Sequence, residues 1–341
     1  MGKKVVTFGE IMLRLSPPGH LRFVQADTFS AVYGGGEANV AVSLSNYGLD
    51  SYFVTKLPAH EIGQAAVNHL RRYGVKTEYI KRGGERVGIY FLEIGASQRP
   101  SKVVYDRSHS AISQVTPGGF NWKEIFSGAT WFHFTGITPA LSDGAAAVTL
   151  EAVKAAKKCG VKVSADLNYR KKLWTPEKAN RVMSELMSYV DVAIGNEEDA
   201  EKVFGIKAAD SEITAGKLSE EGYRAVAKEL ADRFNLEKVA ITLRESLSAS
   251  DNNWSALLYD GKDFYRSRVY KIHIVDRVGG GDSFAAGLIY SLLKGETSRD
   301  AVEFAVAASC LKHTIFGDFN LVTEEEVRNL AAGDASGRVQ R

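Results

Sequence analysis

Short apolar runs alternate with amphipathic stretches along most of this chain, and no other feature of the sequence restricts its fold so strongly. A brief apolar run reads as a strand buried on both faces, and a longer stretch with apolar residues every three or four positions reads as a helix covering one face of a sheet. The strand candidates are 5–8, 52–54, 130–134, 161–165, 190–194 and 238–242. Between or after them the spacing predicts helices over 38–47, 62–73, 144–157, 176–187 and 220–234. Strand and helix in regular succession predict βα units, and therefore an α/β fold with a doubly wound, mainly parallel sheet flanked by helices.

Two stretches break the rhythm. Residues 10–23 and 87–105 alternate like strands, yet no helix follows either at once. They predict a small antiparallel β-sheet lid, built from two excursions over about 10–33 and 86–110. A further strand pair, 256–259 and 263–268, flanks Asp260-Gly261, a hairpin signal. Apolar helices are expected over 284–293 and 301–311. The expected organisation is one domain over 1–332 with a polar tail over 333–341.

Composition enters mainly by exclusion. A formal net charge of +2 gives no reason to expect a nucleic-acid or membrane partner, so a small-molecule ligand is expected. The apolar run at 5–8 is too short for a signal peptide, and no window approaches the roughly 20 apolar residues of a membrane span. The two cysteines, Cys159 and Cys310, have no companions at metal-ligand spacing and read as buried structural thiols of a cytoplasmic protein.

Two glycine runs carry the chemistry. Gly279-Gly280-Gly281 precedes Asp282 and an apolar helix. Glycines allow close backbone approach, and the unpaired amides of a helix start point toward an anion. Asp282 beside such a cradle could accept a proton from a hydroxyl. Taken alone, the same residues equally describe a flexible turn with an aspartate cap. The second run, Gly34-Gly35-Gly36-Glu37-Ala38-Asn39, also opens a helix. It is no dinucleotide fingerprint, because the sixth position is Asn39, and no Gly-Lys-Ser or Gly-Lys-Thr step supplies a phosphate-binding lysine.

Together, the stretch from Gly34 to Ala41 and the stretch from Asp276 to Phe284 resemble the two signatures of the ribokinase-like (PfkB) family of carbohydrate kinases. The resemblance implies a ribokinase-like fold with ATP and Mg2+ as cofactors, Asp282 as catalytic base and the amides of Gly279, Gly280 and Gly281 as anion hole. Gly280 stands where the family usually has alanine. The resemblance also implies nucleotide contacts at Asn168, Asn196, Thr242 and Arg244, besides Gly279 and Gly281, and a magnesium ion reached through water by Glu198 and Asp199. Asp199 is the shorter carboxylate where the family has glutamate.

The accepting sugar should be written in the lid and the facing strand ends. Tyr90, Tyr105, Arg107 and Arg170 are the candidates, since a guanidinium binds a carboxylate through two parallel hydrogen bonds that a neutral sugar does not need. Strand packing is the plain alternative for the tyrosines, and surface ion pairs for the arginines. The pattern resembles the branch of the family that phosphorylates the 6-hydroxyl of 2-keto-3-deoxygluconate, with a fructose, ribose or other keto-sugar kinase of the family, or a non-catalytic sugar or nucleotide sensor on the same fold, as alternatives. That resemblance adds Asp318, with Gly34, Gly35, Gly36, Glu37 and Asn39, to the implied sugar contacts. The exposed edges of a lid sheet further suggest a homo-oligomer formed through the lid.

Overall fold

The computed structural model describes residues 2–207, 220–334 and 337. The expected tail over 333–341 therefore lies largely outside the described residues. In chain order the strands are β1 (Lys4–Phe8), β2 (Met12–Ser16), β3 (Ser30–Gly34), β4 (Asp50–Leu57), β5 (Ile80–Arg82), β6 (Gly88–Glu93), β7 (Lys102–Asp106), β8 (Ala129–Thr135), β9 (Lys162–Asp166), β10 (Val192–Gly195), β11 (Lys238–Ser246), β12 (Asp251–Tyr259), β13 (Phe264–Arg266) and β14 (Tyr270–His273). The helices are α1 (Gly36–Asn46), α2 (Glu61–Arg72), α3 (Trp122–Ile125), α4 (Ile137–Ala140), α5 (Asp143–Lys158), α6 (Pro176–Met187), α7 (Glu197–Phe204), α8 (Glu220–Phe234), α9 (Gly280–Lys294), α10 (Ser298–Lys312) and α11 (Glu324–Ala332).

One large sheet runs in the order β13-β12-β11-β10-β9-β8-β1-β4-β5, with β14 paired to β12. From β11 to β5 every neighbour is parallel, whereas β12, β13 and β14 join antiparallel at one edge. The strands read as unbroken apolar runs because both faces are covered. Val6, Phe132 and Ala193 enter a core shared with α5, α6 and α8, whereas their neighbours Val5, Trp131 and Val192 enter a second core shared with α1, α9 and α10. Helix starts follow local chemistry: Ser142, Thr175 and Thr297 each accept a backbone N–H of the first turn.

The smaller sheet runs β3-β2-β6-β7. It is not wholly antiparallel as expected, since β2 and β6 pair in parallel with Met12 opposite Gly88 and Leu15 opposite Phe91. The reason is topological: β1 and β5 point the same way in the large sheet, and each feeds the first strand of one excursion outward from the same end. Two further expectations change. The strand expected over 238–242 is longer, since β11 pairs with β12 as far as Ser246 opposite Asn252. Cys159 is exposed at the end of α5 and Cys310 is half-buried, so neither is a fully buried thiol.

Candidate active site

The carboxyl ends of β9, β10 and β11, the start of α9 and the inner face of the lid enclose a cleft of about 410 Å³. Ligand crevices in open α/β sheets lie at such strand ends. Gly279 caps α9 with φ of 82°, a left-handed conformation that costs glycine nothing. The first helical hydrogen bond, from Ser283 N–H to Gly279 O, spans 2.8 Å, so the amides of Gly281 and Asp282 precede the ladder and face the cleft end of the helix. Gly279, Gly280, Gly281 and Asp282 all line the cleft.

Asn39 holds the Asp282 carboxylate, donating from Nδ2 to Oδ2 at 2.6 Å, while its own Oδ1 accepts the Gly35 N–H at 3.1 Å. The helix dipole should favour ionised Asp282, but desolvation outweighs it: burial pushes the carboxyl up to about 6, against the Asn39 hydrogen bond. Such a group is a competent base near neutral pH. Gly35, Gly36 and Asn39 line the cleft, and a side chain at Gly36 would stand 3.4 Å from Asp282 Oδ1.

Gly34 and Glu37, both expected at the sugar, do not line the cleft. A side chain at Gly34 would collide with the Asp318 carboxylate, so this glycine makes room for Asp318. Glu37 is buried, and its Oε1 accepts from Thr135 N–H at 2.9 Å and from the hydroxyls of Thr135 and Thr138 at 2.9 and 2.7 Å. It clasps the end of β8 to the start of α1 and α4; burial raises it to about 7.

Asn168, Asn196, Glu198, Asp199, Thr242 and Arg244 border the other end of the cleft. Asn168 has φ of 37°, within the left-handed region that asparagine tolerates. Asn196 and Asp199 form a capping box on α7: Asp199 N–H donates to Asn196 Oδ1 at 2.8 Å and Asn196 N–H to Asp199 Oδ2 at 3.3 Å. Asp199 Oδ1 also accepts the Tyr169 N–H at 2.9 Å. Burial raises this carboxyl to about 6. Its neighbour Asp166 is also raised well above the ordinary carboxylate range, by burial first and then by the charges of Asp199 and Asp282.

At the lid end, Tyr90, Tyr105, Arg107, Arg170 and Asp318 line the cleft. Several are already engaged. Tyr90 donates to Asp318 Oδ2 at 2.5 Å, and Arg14 donates to Asp318 Oδ1 at 3.0 Å. The Arg107 guanidinium is paired with the buried Glu10 carboxylate and lies over the Tyr105 ring. Arg107 is thus not the free carboxylate fork the sequence suggested, although its buried Nε has no hydrogen-bond partner among the described residues. Arg170 is exposed, donates to the Tyr169 carbonyl and lowers the pKa of Asp166, Asp199 and Asp282 by its charge.

Sequence reasoning missed the groups behind the cleft. Arg14 of β2 is fully buried and binds both Asp318 and Asp276, the latter at 2.7 Å. Arg277, Val278 and Trp254 also line the cleft. An arginine between two leucines in a five-residue strand was the available sign of a buried charge, and Asp166 at the end of an apolar strand was another.

A buried carboxylate beside a glycine turn, at the strand ends of an α/β sheet and under a β lid, is an arrangement suited to activating a hydroxyl next to an anion. Comparison with known proteins gives the family. Residues 2–321 match the pfkB family carbohydrate kinase model, and the chain belongs to that family. It is 34% identical to a 2-dehydro-3-deoxygalactonokinase of Haloferax volcanii over 98% of this chain and 99% of that protein. A 2-dehydro-3-deoxygluconokinase of Thermoproteus tenax is 30% identical over 92% of this chain and 89% of its own length. The crystal structure of 2-dehydro-3-deoxygluconokinase from Thermotoga maritima is 56% identical, covers 98% of this chain and 99% of that one, and superposes with a TM-score of 0.94. The ribokinase-like fold and carbohydrate kinase activity follow.

Proposed function

We propose that this kinase transfers the γ-phosphoryl group of ATP to the 6-hydroxyl of 2-keto-3-deoxygluconate, also called 2-dehydro-3-deoxygluconate, giving its 6-phosphate and ADP. One observation carries the reading: the Asp282 carboxylate, oriented by Asn39, sits at the amide end of α9 in the same cleft as Arg107, Arg170, Tyr90 and Tyr105. In this mechanism Asp282 takes the hydroxyl proton as the sugar oxygen bonds to phosphorus and the bond to the ADP oxygen breaks. The amides of Gly279 and Gly281 bind the transferring group's charge, whereas the Gly280 N–H already donates to the Arg277 carbonyl at 3.4 Å. Asn196, Asn168, Thr242 and Arg244 bind the nucleotide.

Among the described residues, no group of three His, Cys, Asp or Glu side chains could hold a metal ion directly. Asp166, Glu198 and Asp199 nevertheless border the cleft together, and the raised pKa values of Asp166 and Asp199 are what an added cation relieves. These residues would hold the water shell of magnesium, which when bound neutralises phosphate charge. On the lid, the exposed Val104, Phe29 and Leu21 support assembly with a second copy.

An ADP-release assay across sugars and sugar acids tests the proposal. Activity is expected with 2-keto-3-deoxygluconate, and Asp282→Asn is expected to fold while turnover falls by several orders of magnitude. Wild-type-like turnover by this variant refutes the assigned base. The tie between Arg107 and Glu10 gives a neutral keto sugar its best case, and preference for such a sugar in the same panel replaces the sugar-acid reading.

A further inference from the structure

The strongest feature that the proposed reaction leaves unused is a lysine with no exposure to solvent. Lys312 ends α10, and its ammonium donates to the Ile315 carbonyl at 3.0 Å. It lies directly beneath the glycine turn, since a side chain at Gly279 would come within 3.2 Å of Lys312 Cε. Around it stand Asp276, Asp318, Asp282 and Arg14, each close enough to shift its ionisation. Desolvation lowers the lysine's pKa, while the three carboxylates oppose this.

These neighbours join the lysine to the anion hole. Asp276 accepts the Val278 N–H at 3.1 Å through Oδ1, just before Gly279, and the Gly317 N–H at 3.0 Å through Oδ2. The segment from Ile315 to Asp318 and the segment from Asp276 to Gly279 are therefore laced together, with the ammonium against both. A buried lysine is retained at a large desolvation cost, and helix C-terminal placement offsets only part of it.

We propose that Lys312 is a positioning residue for phosphoryl transfer: its ammonium fixes the 315–318 segment by a carbonyl and places a positive charge under the Gly279–Gly281 turn. The proposal rests on the phosphoryl-transfer reading above. In a water-excluded site a fixed charge behind the amides strengthens their hold on the transferring group as negative charge gathers there.

Lys312→Met keeps the side chain's length and removes its charge. The expected kcat falls about 10- to 100-fold, less than or comparable to the loss of a direct oxyanion donor, while the sugar KM moves less than threefold. Lys312→Ala opens a cavity at the same place. Its ADP release is expected to recover at least fivefold with ammonium chloride or methylammonium chloride, but not with tetramethylammonium chloride at equal ionic strength. A purely structural lysine predicts a lower melting temperature without cation-selective rescue. A kcat for Lys312→Met within twofold of wild type, or equal effects of all three salts on Lys312→Ala, overturns the proposal. An inactive Asp282→Asn beside a normal Lys312→Met sinks only the lysine's role, whereas an active Asp282→Asn sinks the phosphoryl-transfer reading beneath it.

Discussion

Replacing Gly280 with alanine restores the residue the family usually carries in the middle of the proposed anion hole, and the structure predicts that in this chain the change is harmful. A β-carbon at Gly280 would stand 2.8 Å from His313 Nε2 and 3.3 Å from Nδ1, and closer still to the ring carbon between them. Ordinary contact between such atoms is about 3.5–4.0 Å, so ring and helix must separate by roughly 1 Å. Neither side yields easily. His313 is buried, its Nδ1 pairs with the Ser309 carbonyl at 2.6 Å, and its ring packs against Trp254 with centroids 5.2 Å apart. The Gly280 carbonyl accepts the Ser309 hydroxyl at 2.7 Å, and the His313 carbonyl accepts the backbone N–H groups of Val275 and Asp276. Overpacking of a tight core costs about 1–3 kcal/mol, and here the strain falls on the turn proposed to hold the phosphoryl group.

Urea unfolding of Gly280→Ala should therefore show a loss of about 1–3 kcal/mol, with a fall in kcat beyond what the folded fraction explains. Burial lowers His313 to about 4, so the ring is neutral at pH 7 and its removal deletes volume rather than charge. The decisive measurement is the double variant Gly280→Ala/His313→Ala. The new methyl group enters space the ring vacates, and the two changes should couple favourably by about 0.5–3 kcal/mol in a double-mutant cycle. Gly280→Ala with wild-type stability and turnover, or strictly additive free energies in the cycle, refutes the steric argument.

Three other outcomes follow from the charged groups. The kcat/KM of the wild type should rise with pH through an apparent pKa near 6, because Asp282 as the proposed base acts only once deprotonated; with Asp166 and Asp199 also raised, the value belongs to the cluster, and a flat profile from pH 5 to 8 contradicts it. Asp166 has a folded pKa above its unfolded value of about 3.9, so its contribution to stability is present below that value and lost as pH rises through the folded pKa. The melting temperature of Asp166→Asn relative to wild type should therefore increase between pH 4.5 and 7.5, and a difference independent of pH refutes this. Arg14→Met leaves Asp276 and Asp318 buried without their shared cation, and denaturant titration should show a loss of about 3–5 kcal/mol.

What could be read from the sequence divides by the range of the interactions involved. The parallel sheet and the bounds of α6 and α8 were legible because burial on both faces and helical periodicity are written in adjacent residues. The glycine runs and Asp282 were legible because backbone geometry restricts residue type locally. The lid strands were visible as alternation, but not the parallel pairing of β2 with β6, which depends on the common direction of β1 and β5. The roles of Glu37 and Gly34 were misread for a related reason: Glu37 meets Thr135 and Thr138, and Gly34 meets Asp318, nearly three hundred residues away along the chain.

Gly280 shows the same limit in its sharpest form. Read locally, glycine in place of alanine adds only backbone freedom to a turn that keeps its amide. In the fold it fills a steric requirement set by His313, one helix later. Lys312 adds a charge at the adjacent position, under Gly279. The 312–318 segment thus backs the proposed anion hole, with His313 against Gly280 and Lys312 against Gly279, while Asp318 reaches Tyr90 and Arg14 of the lid. Lid, phosphate turn and this C-terminal segment form one polar unit, and substitutions in any of the three should couple with those in the other two rather than add.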